Sequence, residues 1–167
     1  MATITLKGQP IHTSGSLPAR GARAPEFLLT KNDLTDVSLR DFAGKKKLLN
    51  IVPSLDTGVC AASSRRFNQE AEHVPGAAVL VVSTDLPFAQ KRFCEAEGIT
   101  NVVALSELRA RRFGEDYGVR ITDSPLAGLL SRAVVVLDEH DRVVYTEQVP
   151  EIGQEPDYAK AMAALQA

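Results

Sequence analysis

The pattern of apolar residues predicts a chain of alternating strands and helices. Three continuous apolar runs are short enough for strands and are typical of a sheet covered on both faces. They span residues 47–52, 77–82 and 133–137. A helix from about Cys60 is predicted after the first run, because apolar residues recur there at helical spacing. These residues are Val59, Phe67, Ala71 and Val74.

The first 25 residues predict a hairpin and a surface connection. Residues 4–6 and 11–13 alternate between apolar and polar side chains on either side of a turn. Residues 14–25 are rich in Ser, Gly, Ala and Pro, which favours an irregular surface segment. A second turn is predicted at Lys31–Asp33, between short strands at residues 27–30 and 37–39.

A second helix is predicted after the second apolar run. Asp85 is positioned to cap it, Pro87 suits its first turn, and Gly98 would end it. Cys94 is expected at the margin of its buried face. That face is expected to consist of Phe88, Ala89, Phe93 and Ala96.

A third helix is predicted to begin at a cap on Ser106 and to end at Gly118. Its apolar residues are Leu108, Phe113 and Tyr117. The three arginines between residues 109 and 112 are expected on a solvated face of this helix. The acidic residues expected on the same face are Glu107, Glu115 and Asp116.

The end of the chain completes a recognisable order of elements. Residues 133–137 and 143–147 predict a hairpin, and a last helix is predicted from about Pro156 to the end. Strand–helix–strand–helix, followed by a hairpin and a terminal helix, predicts an α/β thioredoxin-like fold with an N-terminal β-hairpin extension. No internal repeat interrupts the pattern, so residues 1–167 are expected to form a single domain.

Composition and charge narrow the possible functions. The 167 residues are 44% hydrophobic, and the net charge of −2 gives no basis for binding nucleic acid or an anionic membrane. Lys45–Lys47 is expected in a solvated turn. No apolar run approaches the ~20 residues that a membrane helix needs, and the N-terminus lacks a signal-peptide pattern. We therefore expect a cytoplasmic protein, in which a disulfide would be transient and catalytic.

The residues around Cys60 predict a reactive thiol. A strand ends at Pro53 and a helix begins near Cys60, so the sulfur is expected in the first helical turn. Unpaired backbone N–H groups and the positive end of the helix dipole favour the thiolate there, and the thiolate is the nucleophile. Thr57 lies three residues earlier, at the N-cap position, where its hydroxyl could bond a free N–H group or a ligand held over the sulfur.

Arg132 is the candidate cation of the site. It directly precedes the apolar run 133–137, where burying an unpaired charge is costly. It could stabilise a thiolate and hold an oxygen atom, or it could be a surface arginine whose stem packs beside the strand. Position alone leaves both interpretations open.

Several segments resemble a known family. PSLDTGVC, at residues 53–60, fits the active-site pattern Pro-x-x-x-Thr-x-x-Cys of the peroxiredoxins. The longer run LLNIVPSLDTGVCAASSRRFNQ, STDLPFAQKRFCEAEG around Cys94, and residues 125–136 resemble the bacterial thiol peroxidases, an atypical two-cysteine branch of that family. The resemblance extends over nearly the whole chain.

This resemblance implies a function and a set of site residues. It implies a peroxidase that reduces hydrogen peroxide and alkyl hydroperoxides through a sulfenic acid on Cys60. Pro53 would shield the sulfur from water. The peroxide would be held by donors placed for the transition state. These are the Thr57 hydroxyl, the backbone N–H groups of Val59 and Cys60, and the Arg132 guanidinium.

The resemblance also implies Cys94 as the resolving cysteine, thioredoxin as the reductant, and a homodimer. The alternative for Cys94 is a structural role as an inert, half-buried thiol. The two cysteines are separated by 34 residues (94 − 60), so they form neither a CxxC redox motif nor a zinc-ligand spacing. No cofactor motif is present, and the three histidines form no metal or nucleophile–base pattern.

Other functional classes remain open on the sequence. A thioredoxin-fold disulfide oxidoreductase or redox sensor could use the same cysteines without peroxide turnover, although the absence of CxxC disfavours it. A redox-silent binding or chaperone module would have an unreactive Cys60. A cysteine hydrolase is a weaker option, because no histidine is positioned as its base.

Overall fold

The computed structural model describes residues 1–167. The strands are β1 (Thr3–Leu6), β2 (Gln9–His12), β3 (Leu28–Lys31), β4 (Asp36–Ser38), β5 (Lys47–Ile51), β6 (Ala78–Ser83), β7 (Val103–Ser106), β8 (Ala133–Leu137) and β9 (Val143–Gln148). The helices are α1 (Gly58–Ala71), α2 (Pro87–Glu97), α3 (Arg112–Asp116) and α4 (Tyr158–Gln166), with a 3₁₀ turn at Leu39–Phe42. None of the helices is long and apolar enough to cross a membrane.

Seven strands form one mixed sheet in the order β4-β3-β7-β6-β5-β8-β9. The central strand β5 runs parallel to β6 and antiparallel to β8, and β6 runs parallel to β7. Strands β1 and β2 form a separate antiparallel hairpin. This arrangement confirms the predicted α/β thioredoxin-like fold with an N-terminal hairpin.

The sheet carries a hydrophobic core on each face. Every residue of β5, β6 and β8 is buried, so alternate side chains enter opposite cores. Leu49 packs in one core with Phe113 of α3. Leu48 packs in the other core, which also contains both Cys60 and Cys94. The two thiols therefore lie on the same side of the sheet.

The N-terminal hairpin is fastened to the segment after β9. Ile4 packs against Ile152, and the backbone N–H of Ile152 donates to the carbonyl of Thr5 at 2.9 Å. The N–H of Thr5 in turn donates to the carbonyl of Pro150 at 2.8 Å. The hairpin thus fixes the backbone around Ile152, which contacts the candidate site.

The predicted start of the third helix at Ser106 is wrong, whereas its predicted end at Gly118 agrees with the structure, in which Tyr117 is the C-cap. Ser106 is the last residue of β7, and α3 begins only at Arg112. Glu107, expected on a solvated face, is buried and accepts hydrogen bonds from Arg120 Nη1 and Nη2, each at 2.8 Å. This two-point ion pair holds Glu107 inward, while Leu108, expected on the apolar face of the helix, is exposed.

The solvated turn predicted at Lys45–Lys47 is also partly wrong. Lys45 is exposed, but Lys47 is fully buried as the first residue of β5. Its ammonium group forms an ion pair with the carboxylate of Asp141 in the β8–β9 turn. The buried charge is tolerated because it is paired.

Replacing Arg120 with methionine should destabilise the protein by about 3–5 kcal/mol, because it leaves the buried Glu107 carboxylate unpaired. Burial already raises the pKa of Glu107, and the Arg120 hydrogen bonds oppose that rise. When the pKa of a carboxyl is higher in the folded than in the unfolded state, the free energy of unfolding falls as pH rises. The destabilisation caused by Arg120→Met should therefore be smaller at acid than at neutral pH. Urea unfolding followed by circular dichroism measures both effects.

The matched control is Arg112→Met. The Arg112 side chain is 87% exposed, and its nearest carboxylate contact, with Asp116, is 3.5 Å long. Its loss should change the free energy of unfolding by no more than about 0.5 kcal/mol. Equal destabilisation in the two variants would contradict the importance of the buried pair.

Candidate active site

Cys60 lies in the first turn of α1. Thr57 has extended backbone angles, φ −119° and ψ 150°, and is the N-cap of this helix. Its Oγ1 accepts a hydrogen bond from the Cys60 N–H at 3.3 Å, and its hydroxyl donates to the carbonyl of Ser54 at 3.2 Å. Local sequence is enough to explain this start, because threonine is a preferred N-cap and Pro53, which is buried, ends the preceding strand.

Arg132, which directly precedes β8, reaches the sulfur of Cys60. Its side chain is buried, and Nη1 lies 3.2 Å from Sγ of Cys60. Its Nε donates to the carbonyl of Ile152 at 2.8 Å, which fixes the orientation of the guanidinium. Cys60 is itself fully buried. A cation hydrogen-bonded to a sulfur in so dry a place stabilises negative charge on that sulfur.

A buried polar pair supports α1 beneath Cys60. The Ser63 hydroxyl donates to the carbonyl of Cys60 at 3.0 Å, and Asn50 Nδ2 donates to Ser63 Oγ at 3.3 Å. Sequence reasoning missed both residues. A signal existed, since Asn50 is the one polar side chain inside the apolar part of β5, and a buried amide needs a partner.

Asp85 does not cap α2 as predicted. The N-cap is Leu86, which makes no side-chain cap bond. The Asp85 carboxylate instead accepts hydrogen bonds from the Ser54 hydroxyl and the Leu55 N–H, each at 2.8 Å. The reason is topological. The carboxyl ends of the parallel strands β5 and β6 meet at one edge of the sheet, so the residues that follow them become neighbours.

The predicted buried stripe of α2 is wrong for Phe88, Ala89 and Ala96, which are exposed, whereas Phe93 is partly buried and packs against the core. Phe88 is 65% exposed, while the buried residues are Pro87, Gln90 and Cys94. The Gln90 amide donates to the carbonyl of Leu105 at 2.8 Å, which turns this face toward β7. Residues four apart share a face of a helix, so Cys94 points inward with Gln90.

The two cysteines are separate free thiols on different helices. Burial raises the pKa of the Cys94 thiol; Asn32 opposes the rise and Glu95 adds to it. Cys94 is therefore protonated at neutral pH while α2 is folded, and a thiol is a poor nucleophile. No group of three or more His, Cys, Asp or Glu side chains is arranged to hold a metal ion.

These features define a peroxiredoxin-type redox protein. The sheet is thioredoxin-like, a cysteine begins the helix after its central strand, and a buried guanidinium contacts that sulfur. The chain belongs to the redoxin family, whose model, described as Redoxin, matches residues 19–162.

Individual relatives agree with this assignment. The chain is 58% identical over 165 residues to the thiol peroxidases of Mycobacterium tuberculosis (strain ATCC 25618 / H37Rv) and Mycobacterium bovis, with 99% of each chain covered. Among solved structures it resembles a peroxiredoxin-like protein from Aquifex aeolicus, with 39% identity and a TM-score of 0.92 over 99% of this chain and 96% of that one. It also resembles a thiol peroxidase from Chromobacterium violaceum, with 26% identity and a TM-score of 0.91 over 98% and 95%.

Proposed function

We propose that this chain is a thiol-dependent peroxidase that reduces hydrogen peroxide and alkyl hydroperoxides at Cys60. The observation that carries the proposal is the 3.2 Å contact between Arg132 Nη1 and Cys60 Sγ at the start of α1. The 58% identity to proteins named thiol peroxidase supports it.

In the first step, the thiolate of Cys60 attacks the terminal oxygen of the peroxide. A sulfur–oxygen bond forms and the oxygen–oxygen bond breaks. Sulfur is oxidised by two electrons to the sulfenic acid, and the remaining oxygen leaves as water or an alcohol after taking up a proton. Arg132 would stabilise the charge that moves from the sulfur to the leaving oxygen.

Thr57 and Val59 complete the proposed peroxide site. The N–H of Val59 belongs to the first helical turn and has no partner within the helix. The Thr57 hydroxyl could turn from the Ser54 carbonyl toward a peroxide oxygen, because its present bond of 3.2 Å is long for an O–H···O hydrogen bond and therefore weak. The N–H of Cys60 bonds Thr57 at 3.3 Å and can likewise serve the substrate. Pro53 would keep bulk water from the sulfur.

In the second step, Cys94 attacks the sulfenic sulfur of Cys60. A sulfur–sulfur bond forms and the sulfur–oxygen bond breaks, so that the sulfenic hydroxyl leaves as water with the thiol proton. A dithiol then returns two electrons and two protons. We assign this role to thioredoxin and place the reaction in the cytoplasm, where thiols are kept reduced. A homodimer is part of the same proposal and rests on the family resemblance.

Mass spectrometry of the intact protein after one equivalent of peroxide tests this function. The wild-type chain should lose two hydrogen atoms and become an intramolecular disulfide. The Cys94→Ser variant should instead gain one oxygen atom on Cys60. Oxidation by small disulfides but not by peroxide would favour a disulfide oxidoreductase, and no oxidation at all would favour a redox-silent module.

Disulfide formation should require local unfolding. Bonded cysteines have Cα atoms ~4.4–6.8 Å apart, whereas packed helices have axes ~8–10 Å apart, and Cys60 and Cys94 lie on separate helices. Hydrogen exchange should therefore rise on oxidation in residues 57–63 or 88–97, while β8 stays protected. Equal exchange in the reduced and oxidised proteins would contradict this. A peptide map showing only disulfides between chains would contradict the internal role of Cys94.

A further inference from the structure

The carboxylate of Asp85 lies between the two cysteine-bearing segments. Its Oδ1 accepts a hydrogen bond from the Ser54 hydroxyl at 2.8 Å. Its Oδ2 accepts from the Leu55 N–H at 2.8 Å and from the Ser83 hydroxyl at 2.7 Å. Three donors on one ionised carboxylate make charge-assisted bonds, which are stronger than neutral ones. Asp85 therefore binds the loop after β5 firmly to the end of β6.

One arm of this network leads to Cys60. The Ser54 carbonyl accepts from the Thr57 hydroxyl at 3.2 Å, and Thr57 Oγ1 accepts from the Cys60 N–H at 3.3 Å. Ser54 Oγ also accepts from the Asp56 N–H at 3.2 Å. Hydrogen bonds on the side chain and on the backbone carbonyl of Ser54 thus connect the Asp85 carboxylate to the helical turn that carries the sulfur.

The other arm leads to α2. Ser83 Oγ, which donates to Asp85, accepts from Gln90 Nε2 at 3.0 Å. Gln90 is fully buried and lies one helical turn before Cys94, on the same face of α2. The Ser106 hydroxyl further ties the backbone carbonyl of Asp85 to the end of β7. The segment that must open to release Cys94 is therefore bound to the same carboxylate as the Cys60 loop.

We propose that Asp85 is a positioning residue that holds both segments in the state competent for peroxide attack, and that its bonds must break for disulfide formation. This inference rests on the proposed peroxidase function. It gives the carboxylate opposite effects on the two steps. The bonds from Ser54 and Leu55 to Asp85 keep the loop that carries Thr57 in place during the first step, even when the Thr57 hydroxyl turns to the peroxide. The same bonds oppose the unwinding that the second step needs.

Asp85→Asn tests this role without changing side-chain size. The amide NH₂ group of asparagine cannot accept the hydrogen bonds that one carboxylate oxygen of Asp85 accepts now, so the two segments should be held less firmly. The second-order constant for peroxide attack should fall about tenfold or more. The first-order constant for disulfide formation should rise severalfold, and less Cys60 should be overoxidised to sulfinic acid at high peroxide. The chain has no tryptophan, so acid quenching, alkylation and mass spectrometry would follow both steps.

Two further variants sharpen the test. Ser54→Ala removes the hydroxyl bond to Asp85 but leaves the bond from the Leu55 N–H, so it should loosen the Cys60 loop less than Asp85→Asn does. Its effects should not add to those of Asp85→Asn, because both variants lose the same Ser54–Asp85 bond. Asp138→Asn is the matched control. The Asp138 carboxylate also accepts two backbone N–H bonds, from His140 at 2.8 Å and Arg142 at 3.0 Å, in a turn that lies outside both segments. It should leave the ratio of the two rate constants unchanged.

Hydrogen exchange of the reduced proteins separates this inference from the proposed function. In Asp85→Asn, exchange should rise in residues 54–60 and in α2, but not in β8. If the wild-type chain fails to react with peroxide, the proposed function fails, and exchange alone still decides whether Asp85 binds the two segments together. Unchanged exchange there would overturn the inference. So would two rate constants that stay the same, or that fall together as they would in a globally destabilised protein.

Discussion

Replacing Cys60 with serine should reduce peroxide turnover to the rate of the uncatalysed reaction in buffer. The serine hydroxyl is almost entirely protonated at neutral pH, and it cannot form the sulfenic acid through which the two electrons pass. The fold should persist, because serine is nearly the same size, although its hydroxyl must share the buried site with Arg132. A coupled assay of reductant consumption under excess peroxide measures the loss.

The Cys94→Ser variant is the control for this result. It should still consume about one equivalent of peroxide per chain in the first turnover, because Cys60 remains. Sustained turnover with a dithiol reductant should fall, because the internal disulfide cannot form. Substantial turnover in Cys60→Ser would show that the reacting atom lies elsewhere and would refute the assignment of Cys60.

Replacing Arg132 with methionine should slow peroxide attack by about 10²–10³-fold, the usual effect of removing one preorganised donor from a transition state. The variant leaves the Ile152 carbonyl without its Nε donor, which should cost about 1–3 kcal/mol of stability. Stopped-flow mixing measures the rate of peroxide attack, and urea unfolding measures the loss of stability.

Two further variants, Arg132→Lys and Arg120→Met, separate the effects of the Arg132 charge, of its hydrogen-bond geometry and of lost stability on peroxide attack. Lysine keeps the positive charge but not the fork of donors that bonds both Ile152 and Cys60, so it should restore the rate of peroxide attack only in part. Arg120→Met removes another buried arginine and should destabilise the chain more than Arg132→Met does, with a far smaller effect on peroxide attack. An unchanged rate in Arg132→Met would show that Arg132 is only structural.

The sequence was sufficient for features that depend on near neighbours along the chain. The start of α1 is one of them, since Pro53, Thr57 and Cys60 lie within eight residues and their preferences act locally. The order of strands and helices is another such feature, because a strand that is covered on both faces of a sheet is a continuous apolar run and can be recognised in the sequence. Both predictions agree with the structure, and the thioredoxin-like fold follows from them.

The helix predictions were less accurate where a distant partner decided the outcome. Glu107 looked like part of a solvated helix, but its pairing with Arg120 holds it inward, and α3 begins only at Arg112. The apolar stripe of α2 was misassigned because Gln90, a polar residue, found buried partners on Ser83 and Leu105. Spacing of apolar residues cannot reveal such partners, because a polar side chain is buried only when its hydrogen bonds are supplied.

The sequence by itself determined that a cysteine begins a helix behind a buried strand, and that an arginine stands before another buried strand. Only the tertiary structure decided that these two side chains meet, because 72 residues separate them and the sheet order makes β5 and β8 neighbours. The same parallel pairing of β5 with β6 brought Asp85 onto the loop after Pro53. Local preferences set where each element starts, while packing of the sheet sets which distant charges become partners.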